Sequence, residues 1–176
     1  RVNYYLSAGY LGQQGLLRSG DWNYRRYNVR SNISVNAAKG LKIDLQLAGL
    51  YDDREKPYNA DNLFRSAQMA IPTYSVFAND NSDYWGAVGD MANPVHLSYS
   101  KYSGYDNRYR HEFNSSLSVT WDIPWISGLS AKAMMAYDYS NTEWKTWRRE
   151  LVEYTYDSSN NTYTGSTVNT AHLESK

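Results

Sequence analysis

The 176-residue sequence predicts an all-β fold built from antiparallel, up-and-down strands. Three observations predict it: long segments alternate apolar and polar residues, short and long connections alternate between those segments, and the aromatic residues are mostly Tyr and Trp. The clearest alternation runs through residues 27–52, where two arms meet at Lys39-Gly40. Successive strand side chains point to opposite faces, so each arm has one apolar face and one polar face. The short turn between the arms predicts a hairpin.

The same alternation predicts five strands in all. They are expected at 2–12, 24–37, 41–53, 108–123 and 129–140. Residues 143–156 are rich in charged and aromatic side chains and are expected to extend a strand. Residues 157–176 are expected to be a polar loop, with no closing strand.

The connections between the predicted strands differ in length. Those at 38–40 and 124–128 are short, whereas those at 13–23, 54–106 and beyond 141 are long. Within the longest connection, residues 62–70 predict a short helix that stops before Pro72. The rest of that connection has turn chemistry and no sustained period, and a connection of this length is usually functional or disordered.

Short turns at one end and long loops at the other are typical of outer-membrane β-barrels, whose strands are apolar outside and polar inside. The aromatic composition agrees, since 18 Tyr and 6 Trp accompany only 3 Phe, and Tyr and Trp favour membrane interfaces. Two aromatic girdles are predicted, one near the long loops and one near a short turn. Their members are Tyr10, Tyr27, Tyr51, Tyr109, Tyr137 and Tyr139 for the first, and Trp121 and Trp125 for the second.

Several other classes of protein are disfavoured. The formal net charge is 0 and no basic stripe appears, so we expect no nucleic-acid partner. The absence of Cys removes disulfides and Cys-based metal sites. His96, His111 and His172 are isolated in sequence, so we expect no metal site. No apolar run approaches the length of a transmembrane helix. We expect no signal peptide, because Arg1-Val2-Asn3-Tyr4 has the pattern of the inside of a strand.

We expect no enzymatic activity, no catalytic residues and no cofactor. The sequence has neither a G-x-S-x-G motif nor a P-loop. Two pairs of acids, Asp52 with Asp53 and Glu150 with Glu153, could be taken for hydrolytic carboxylates. Neighbouring acids at strand ends and in loops are more often solvated, and that is the interpretation we favour for both pairs.

The best ligand-binding candidate is a loop cluster of Asp80, Asp83, Tyr84 and Trp85. Exposed aromatic rings can stack on sugar rings or anchor a protein partner, and carboxylates accept hydrogen bonds from hydroxyl groups. The competing interpretation, which is favoured, is that these side chains only pack the loop.

A second polar group is predicted to face the lumen side of the sheet. It comprises Arg108, Arg110, Glu112 and Lys132. An ion-pair ladder across strands is the favoured interpretation, ahead of a substrate path.

Five segments carry a resemblance to a known family. They are Y-Y-L-S-A-G-Y-L-G-Q-Q-G (4–15), R-Y-N-V-R-S-N-I-S-V-N (26–36), K-G-L-K-I-D-L-Q-L-A-G (39–49), F-R-S-A-Q-M-A-I-P-T-Y (64–74) with Asn93-Pro94-Val95, and I-P-W-I-S-G-L-S-A-K (123–132). In this order, over roughly residues 2–150, they resemble the SusC/RagA family of TonB-dependent outer-membrane transporters.

The resemblance implies a barrel of about 22 strands with a plugged lumen, in the outer membrane of a Gram-negative bacterium. It implies import of oligosaccharides or peptides, with outer-membrane lipid, a SusD-like surface lipoprotein and TonB as partners. The chain departs from the family in extent, because the plug domain and the TonB-contacting segment are missing. Residues 1–176 are therefore expected to be a partial TonB-dependent receptor barrel domain, a fragment.

Two alternatives stay open. One is a soluble carbohydrate-binding β-sandwich, in which the apolar faces of 41–47 and 113–123 would pack against each other. The other is an outer-membrane barrel with a structural or adhesive role and no energised import.

Overall fold

The computed structural model describes residues 1–175, which are mostly antiparallel β-structure. The strands are β1 (Val2–Gln14), β2 (Asn23–Ala38), β3 (Leu41–Pro57), β4 (Gly104–Asp122), β5 (Ser130–Arg148), β6 (Leu151–Asp157), β7 (Thr162–Asn169) and β8 (His172–Ser175). The helices are α1 (Ala60–Met69), α2 (Pro94–Ser98) and α3 (Ser100–Ser103), with a single 3₁₀ turn at Ala78–Asp80.

Six strands form one open sheet, in the order β1-β2-β3-β4-β5-β8, and β6 pairs only with β7. The first five strands lie side by side in chain order, as expected for an up-and-down arrangement. The all-β prediction is therefore confirmed. Within the described residues, the sheet is open and does not close on itself.

All five predicted strands are present, and several run further than predicted. β3 continues to Pro57 instead of ending at 53, β4 begins at Gly104 instead of 108, and β5 continues to Arg148. The extension of a strand through 143–148 is confirmed. Most of these additional residues are polar or charged at consecutive positions, so apolar alternation did not reveal them.

The prediction of a polar loop at 157–176 is wrong for most of that segment. β7 pairs antiparallel with β6, from Leu151 opposite Asn169 to Asp157 opposite Thr162. β8 adds to the edge of the main sheet, with Lys145 opposite Ser175 and Arg148 opposite His172. The segment Thr162–Asn169 is rich in Thr, which favours strands, but it lacks the alternating apolar residues from which the other strands were predicted. Lys176 lies outside the described residues.

The chain divides into two compact units. Unit 1 comprises 1–12, 25–53 and 109–142, and unit 2 comprises 13–24, 54–108 and 143–176. Buried hydrophobic residues occur only in unit 2 among the described residues, and they are Ala60, Leu63, Ala78, Val88, Leu97 and Leu151. Leu63, Leu97 and Leu151 form its central cluster. Unit 1 is therefore a sheet without a hydrophobic core of its own.

The predicted helix at 62–70 is confirmed as α1. Ala60, Leu63 and Ser66 lie on its buried face, which is the spacing of one helical face. The helix ends at Met69, and the backbone is extended at Ala70. Pro72 follows two residues later, and proline disfavours a helix at its own position and at the residue before it.

The helix α2 was not predicted, although Asn93-Pro94 is a helix-start signal. Asn93 caps the helix by accepting from the backbone N–H groups of Val95 and His96, and Pro94 occupies the first turn. Among residues 1–175, no helix combines the length and the apolar character needed to cross a membrane.

The turn between β6 and β7 depends on a carboxylate. The backbone N–H of Ser159 and the side-chain amide of Asn160 donate to Asp157 at 2.9 and 2.8 Å. These hydrogen bonds hold the pKa of the Asp157 carboxyl below its ordinary value. Because the pKa of Asp157 is lower in the folded protein than its ordinary value, the ionised carboxylate stabilises the turn at pH values above the ordinary pKa. This stabilisation is lost as the pH falls through the lowered pKa of the folded protein.

We therefore expect the protection of the Ser159 amide against hydrogen exchange to fall as the pH is lowered through the folded-state pKa of Asp157. Amide hydrogen exchange measured at a series of pH values checks it, after correction for the intrinsic exchange rate. The Asp157→Asn variant keeps the side-chain oxygen but cannot titrate, so its corrected protection should not change over the same range. An equal acid-dependent loss in Asp157→Asn would show that another group is responsible.

Candidate functional site: a two-faced sheet and an aromatic loop groove

The apolar face of unit 1 is open to its surroundings. Tyr4 is 82% exposed, Leu6 68%, Met135 68% and Tyr137 60%. Leu41, Ile43, Leu45 and Leu47 of β3 are only partly exposed, yet none of them is buried. The apolar positions of five neighbouring strands share this face. Monomeric soluble proteins rarely expose contiguous apolar patches larger than a few hundred Å².

A row of aromatic rings crosses four strands of unit 1. The ring centroids of Tyr10 and Tyr27 lie 5.0 Å apart, those of Tyr27 and Tyr51 6.1 Å, and those of Tyr51 and His111 4.8 Å. The row therefore joins β1, β2, β3 and β4. Three of its members are predicted girdle residues, and His111 continues the row on β4.

A second aromatic group lies at the other end of β4. The rings of Trp121 and Trp125 meet edge to face with centroids 5.6 Å apart. Ten residues separate His111 from Trp121, which corresponds to about 33 Å along a strand. At a strand tilt of about 45°, that length spans about 23 Å, close to the apolar band of about 25 Å between the girdles of outer-membrane barrels.

The opposite face of unit 1 carries an ion pair between two strands, which joins Arg110 of β4 to Asp52 of β3. Arg110 Nε lies 3.2 Å from Asp52 Oδ2, and its Nη2 lies 3.3 Å from Glu112 Oε1. Arg110 thus forms an ion pair across strands with Asp52, as the predicted ladder requires, whereas its contact with Glu112 lies within β4. A second ion pair, in which Arg25 Nη2 lies 3.5 Å from Asp53 Oδ2, joins β2 to β3 at positions that have the parity of Tyr27 and Tyr51 in the aromatic row.

The expectation that Asp52 and Asp53 are solvated is wrong. Their relative exposures are 8% and 9%. The reason is strand pairing: β3 brings both carboxylates beside guanidinium groups that are distant in sequence, and a buried charge persists where it is paired.

Two other members of the predicted polar group behave differently. In unit 2, the Arg108 guanidinium lies 5.5 Å from the centroid of the Trp144 ring, a cation–π contact rather than an ion pair. Lys42, which is not a member of the predicted group, also lies on the polar face of β3. Its Nζ lies 2.9 Å from Asp44 Oδ1, which also accepts a hydrogen bond from the Ser34 hydroxyl. Lys132 is exposed.

The polar face also holds a shallow depression of about 440 Å³. Most of its lining is amide, hydroxyl or charged, and comes from four strands: Arg30, Asn32, Gln46, Asn114, Ser116 and Asp138 among others. All six have the parity that was assigned to the polar face. A surface with this composition is suited to water, polar solutes or a polar protein segment.

The four predicted ligand residues are not brought together as one site. Asp80 and Asp83 are exposed, and each lies in a tight local turn. The Tyr84 ring stacks on Tyr163 with centroids 4.1 Å apart and meets Tyr154 edge to face at 4.9 Å. Tyr84 therefore packs on the β6–β7 hairpin.

Trp85 contacts a different set of side chains. Its ring stacks nearly parallel on His96, with centroids 4.4 Å apart and planes 6° apart. Phe77 lies 4.8 Å away and Tyr102 5.2 Å away, both by ring centroid. Tyr84 and Trp85 are therefore both held by packing within unit 2. Of the four predicted ligand residues, only Trp85 lines the large groove of unit 2.

A buried polar network holds this loop in place. Glu153 is 1% exposed, and its Oε1 accepts from the backbone N–H of Asn93 at 2.7 Å and lies 3.4 Å from Nδ1 of His96. The Asn93 side-chain amide donates to the backbone carbonyls of Val76 and Gly86, each at 3.0 Å. The expectation that Glu153 is solvated is therefore wrong, because the loop folds over β6 and supplies hydrogen-bond partners from 60 residues away.

Unit 2 contains an open groove of about 960 Å³ beside Trp85. Apolar and aromatic side chains dominate its lining, together with two cations. The lining comprises Arg18, Ala67, Val76, Phe77, Ser82, Trp85, Pro94, Val95, Ser98, Tyr99, Lys101 and Tyr102. Sequence reasoning found only Trp85, because the other residues come from separate parts of the chain.

No group of three or more potential metal ligands occurs among residues 1–175. Comparisons with models of known protein families and with curated proteins give no match to this chain.

Proposed function

We propose that this chain is a wall segment of an outer-membrane β-barrel, with the apolar face of unit 1 against lipid and the polar face toward the lumen. The SusC/RagA resemblance extends the proposal to a TonB-dependent transporter that imports oligosaccharides or peptides together with a SusD-like surface lipoprotein. The chain contributes wall and loops, and the energy coupling belongs to parts of such a transporter that these residues do not include.

One observation carries the proposal: unit 1 exposes its apolar face without burying a single hydrophobic residue among those described. In water, this arrangement would leave a large apolar area hydrated, at about 25 cal/mol for each Å². In lipid the same area is in its favourable environment. The aromatic row and the Trp121–Trp125 pair add support, since their separation matches the thickness of the apolar band.

The observed sheet order disfavours the β-sandwich alternative. That alternative required the apolar faces of 41–47 and 113–123 to pack against each other as two layers. These segments belong to β3 and β4, which are neighbours in one sheet. The structural or adhesive barrel remains a second candidate, because it shares the same two-faced wall.

The orientation of β3 gives a direct test of location. Lys39 precedes β3 and Asp61 follows it, so the two positions should lie on opposite sides of the membrane. In intact cells that produce Lys39→Cys or Asp61→Cys, we expect a membrane-impermeant maleimide to label only the Asp61 position. Residues 1–176 contain no native Cys, so no other position in this chain competes for the label.

Cells with a permeabilised outer membrane serve as the control, and both positions should then react. Labelling of both positions in intact cells, or recovery of the protein in the soluble fraction, would contradict a membrane-crossing β3. Deletion of the gene then separates the two barrel candidates: a transporter requires loss of uptake of an oligosaccharide or peptide nutrient, whereas a structural barrel leaves uptake unchanged.

A further inference from the structure

The groove beside Trp85 has the dimensions of a ligand site. Its volume of about 960 Å³ lies at the upper end of the range for clefts that enclose drug-sized ligands. Its lining includes Val76 and Phe77 as well as Pro94 and Val95, the first two residues of α2. Val76 and Val95 remain 38% and 37% exposed, so the groove has unfilled apolar surface.

The charged side chains that line the groove are both positive. Arg18 and Lys101 are its only charged lining residues, and both are exposed. Neither forms an ion pair with a carboxylate within the part of the chain that the structure describes. Lys101 Nζ instead lies 5.3 Å from the centroid of the Tyr102 ring. The groove therefore combines an apolar floor with two positive charges that are not neutralised.

The lining favours a peptide over a sugar. Carbohydrates present many hydroxyl groups, and a site for them needs several polar partners and an open aromatic face. Here one face of Trp85 is covered by His96, and the Ser98 hydroxyl already donates to the Val95 carbonyl. Aliphatic and proline side chains are better partners for the Val, Ala, Pro and Phe surfaces, and carboxylates are the complement to the two cations.

We propose that this groove binds an extended peptide segment that carries aliphatic side chains and at least one carboxylate near Arg18 and Lys101. The inference goes beyond the function proposed above and does not depend on it, because every residue that carries it belongs to unit 2.

Equilibrium dialysis of radiolabelled peptides against the intact chain, in a zwitterionic detergent, tests the proposal. The probe is the acetylated and amidated hexapeptide LPVELE, and its uncharged counterpart is LPVQLQ. We expect LPVELE to bind about tenfold more tightly than LPVQLQ at low salt, and the difference to shrink at high salt as the charges are screened.

A double variant identifies the groove as the site. Arg18→Gln with Lys101→Gln should weaken LPVELE binding by about tenfold and leave LPVQLQ binding unchanged. The matched control, Arg65→Gln with Arg149→Gln, removes the same charge from exposed positions outside the groove and should bind both peptides normally. Circular dichroism verifies that both double variants are folded.

The proposal is overturned by no retention of LPVELE at millimolar peptide, by equal affinity for the two peptides, or by equal effects of the two double variants. Tighter binding of a trigalacturonate than of LPVELE would also overturn it, in favour of an acidic sugar. None of these outcomes bears on the labelling of Lys39→Cys and Asp61→Cys, so failure of this inference is distinct from failure of the membrane proposal.

Discussion

Replacing Leu45 by Arg should destabilise the lipid-inserted protein by about 2–4 kcal/mol, the cost of a cation on the lipid face near the bilayer midplane. Leu45 lies on the apolar face of β3, about midway between the turn at Lys39-Gly40 and the aromatic row at Tyr51. Reversible denaturant unfolding in liposomes gives the change in free energy of unfolding.

The adjacent Gln46→Arg variant is the matched control. Gln46 lines the depression on the polar face, where an additional Arg stays in water, and its effect should be within about 0.5 kcal/mol. If both faces contacted water, the two substitutions would have similar small effects. Equal free energies of unfolding for the two variants would therefore contradict a lipid-facing β3.

Replacing Asn93 by Ala should release the loop from β6 in unit 2, with a loss of about 2–4 kcal/mol. The substitution removes the cap of α2 and leaves the buried carbonyl of Gly86 without the Asn93 amide. Amide hydrogen exchange of Ala87 and Tyr154 reports the effect, because their N–H groups join the loop to β6. Their protection should fall by about thirtyfold or more.

Asn62→Ala is the control for this substitution. Asn62 is exposed on α1, where Ala is the better helix former, so protection at Ala87 and Tyr154 should be unchanged. Wild-type protection in Asn93→Ala would contradict the assignment of Asn93 as the residue that fastens the loop.

The strands of unit 1 were predictable because their alternation is local. A sheet with one apolar and one polar face needs a period of two in its own sequence, as in Leu41 to Leu47, whatever partner it meets. The turn at Lys39-Gly40 was predictable for the same reason, since the positive φ of 77° at Gly40 is a local requirement that glycine meets most easily.

The missed features depend on contacts between distant residues. Glu153 becomes buried only because Asn93 and His96 arrive from a separate segment, and the Asp52 carboxylate needs Arg110 from the next strand. Asn93-Pro94 did carry a local helix-start signal. β7 has no run of alternating apolar residues, so its pairing with β6 could not be inferred from periodicity.

The accessibility of consecutive positions along β4 tests most directly whether the apolar face of unit 1 lies against lipid. The chain has no Cys, so single cysteines can be placed at each position from 113 to 120 and labelled with a nitroxide. In liposomes, electron paramagnetic resonance then compares collisions with oxygen, which concentrates in lipid, against collisions with a water-soluble nickel chelate.

The lipid-facing wall predicts a period of two: oxygen accessibility peaks at Phe113, Leu117 and Val119, and nickel accessibility peaks at Asn114, Ser116 and Ser118. Nickel accessibility at both sets of positions, or exclusion of both reagents from the apolar set, would contradict a wall that faces lipid.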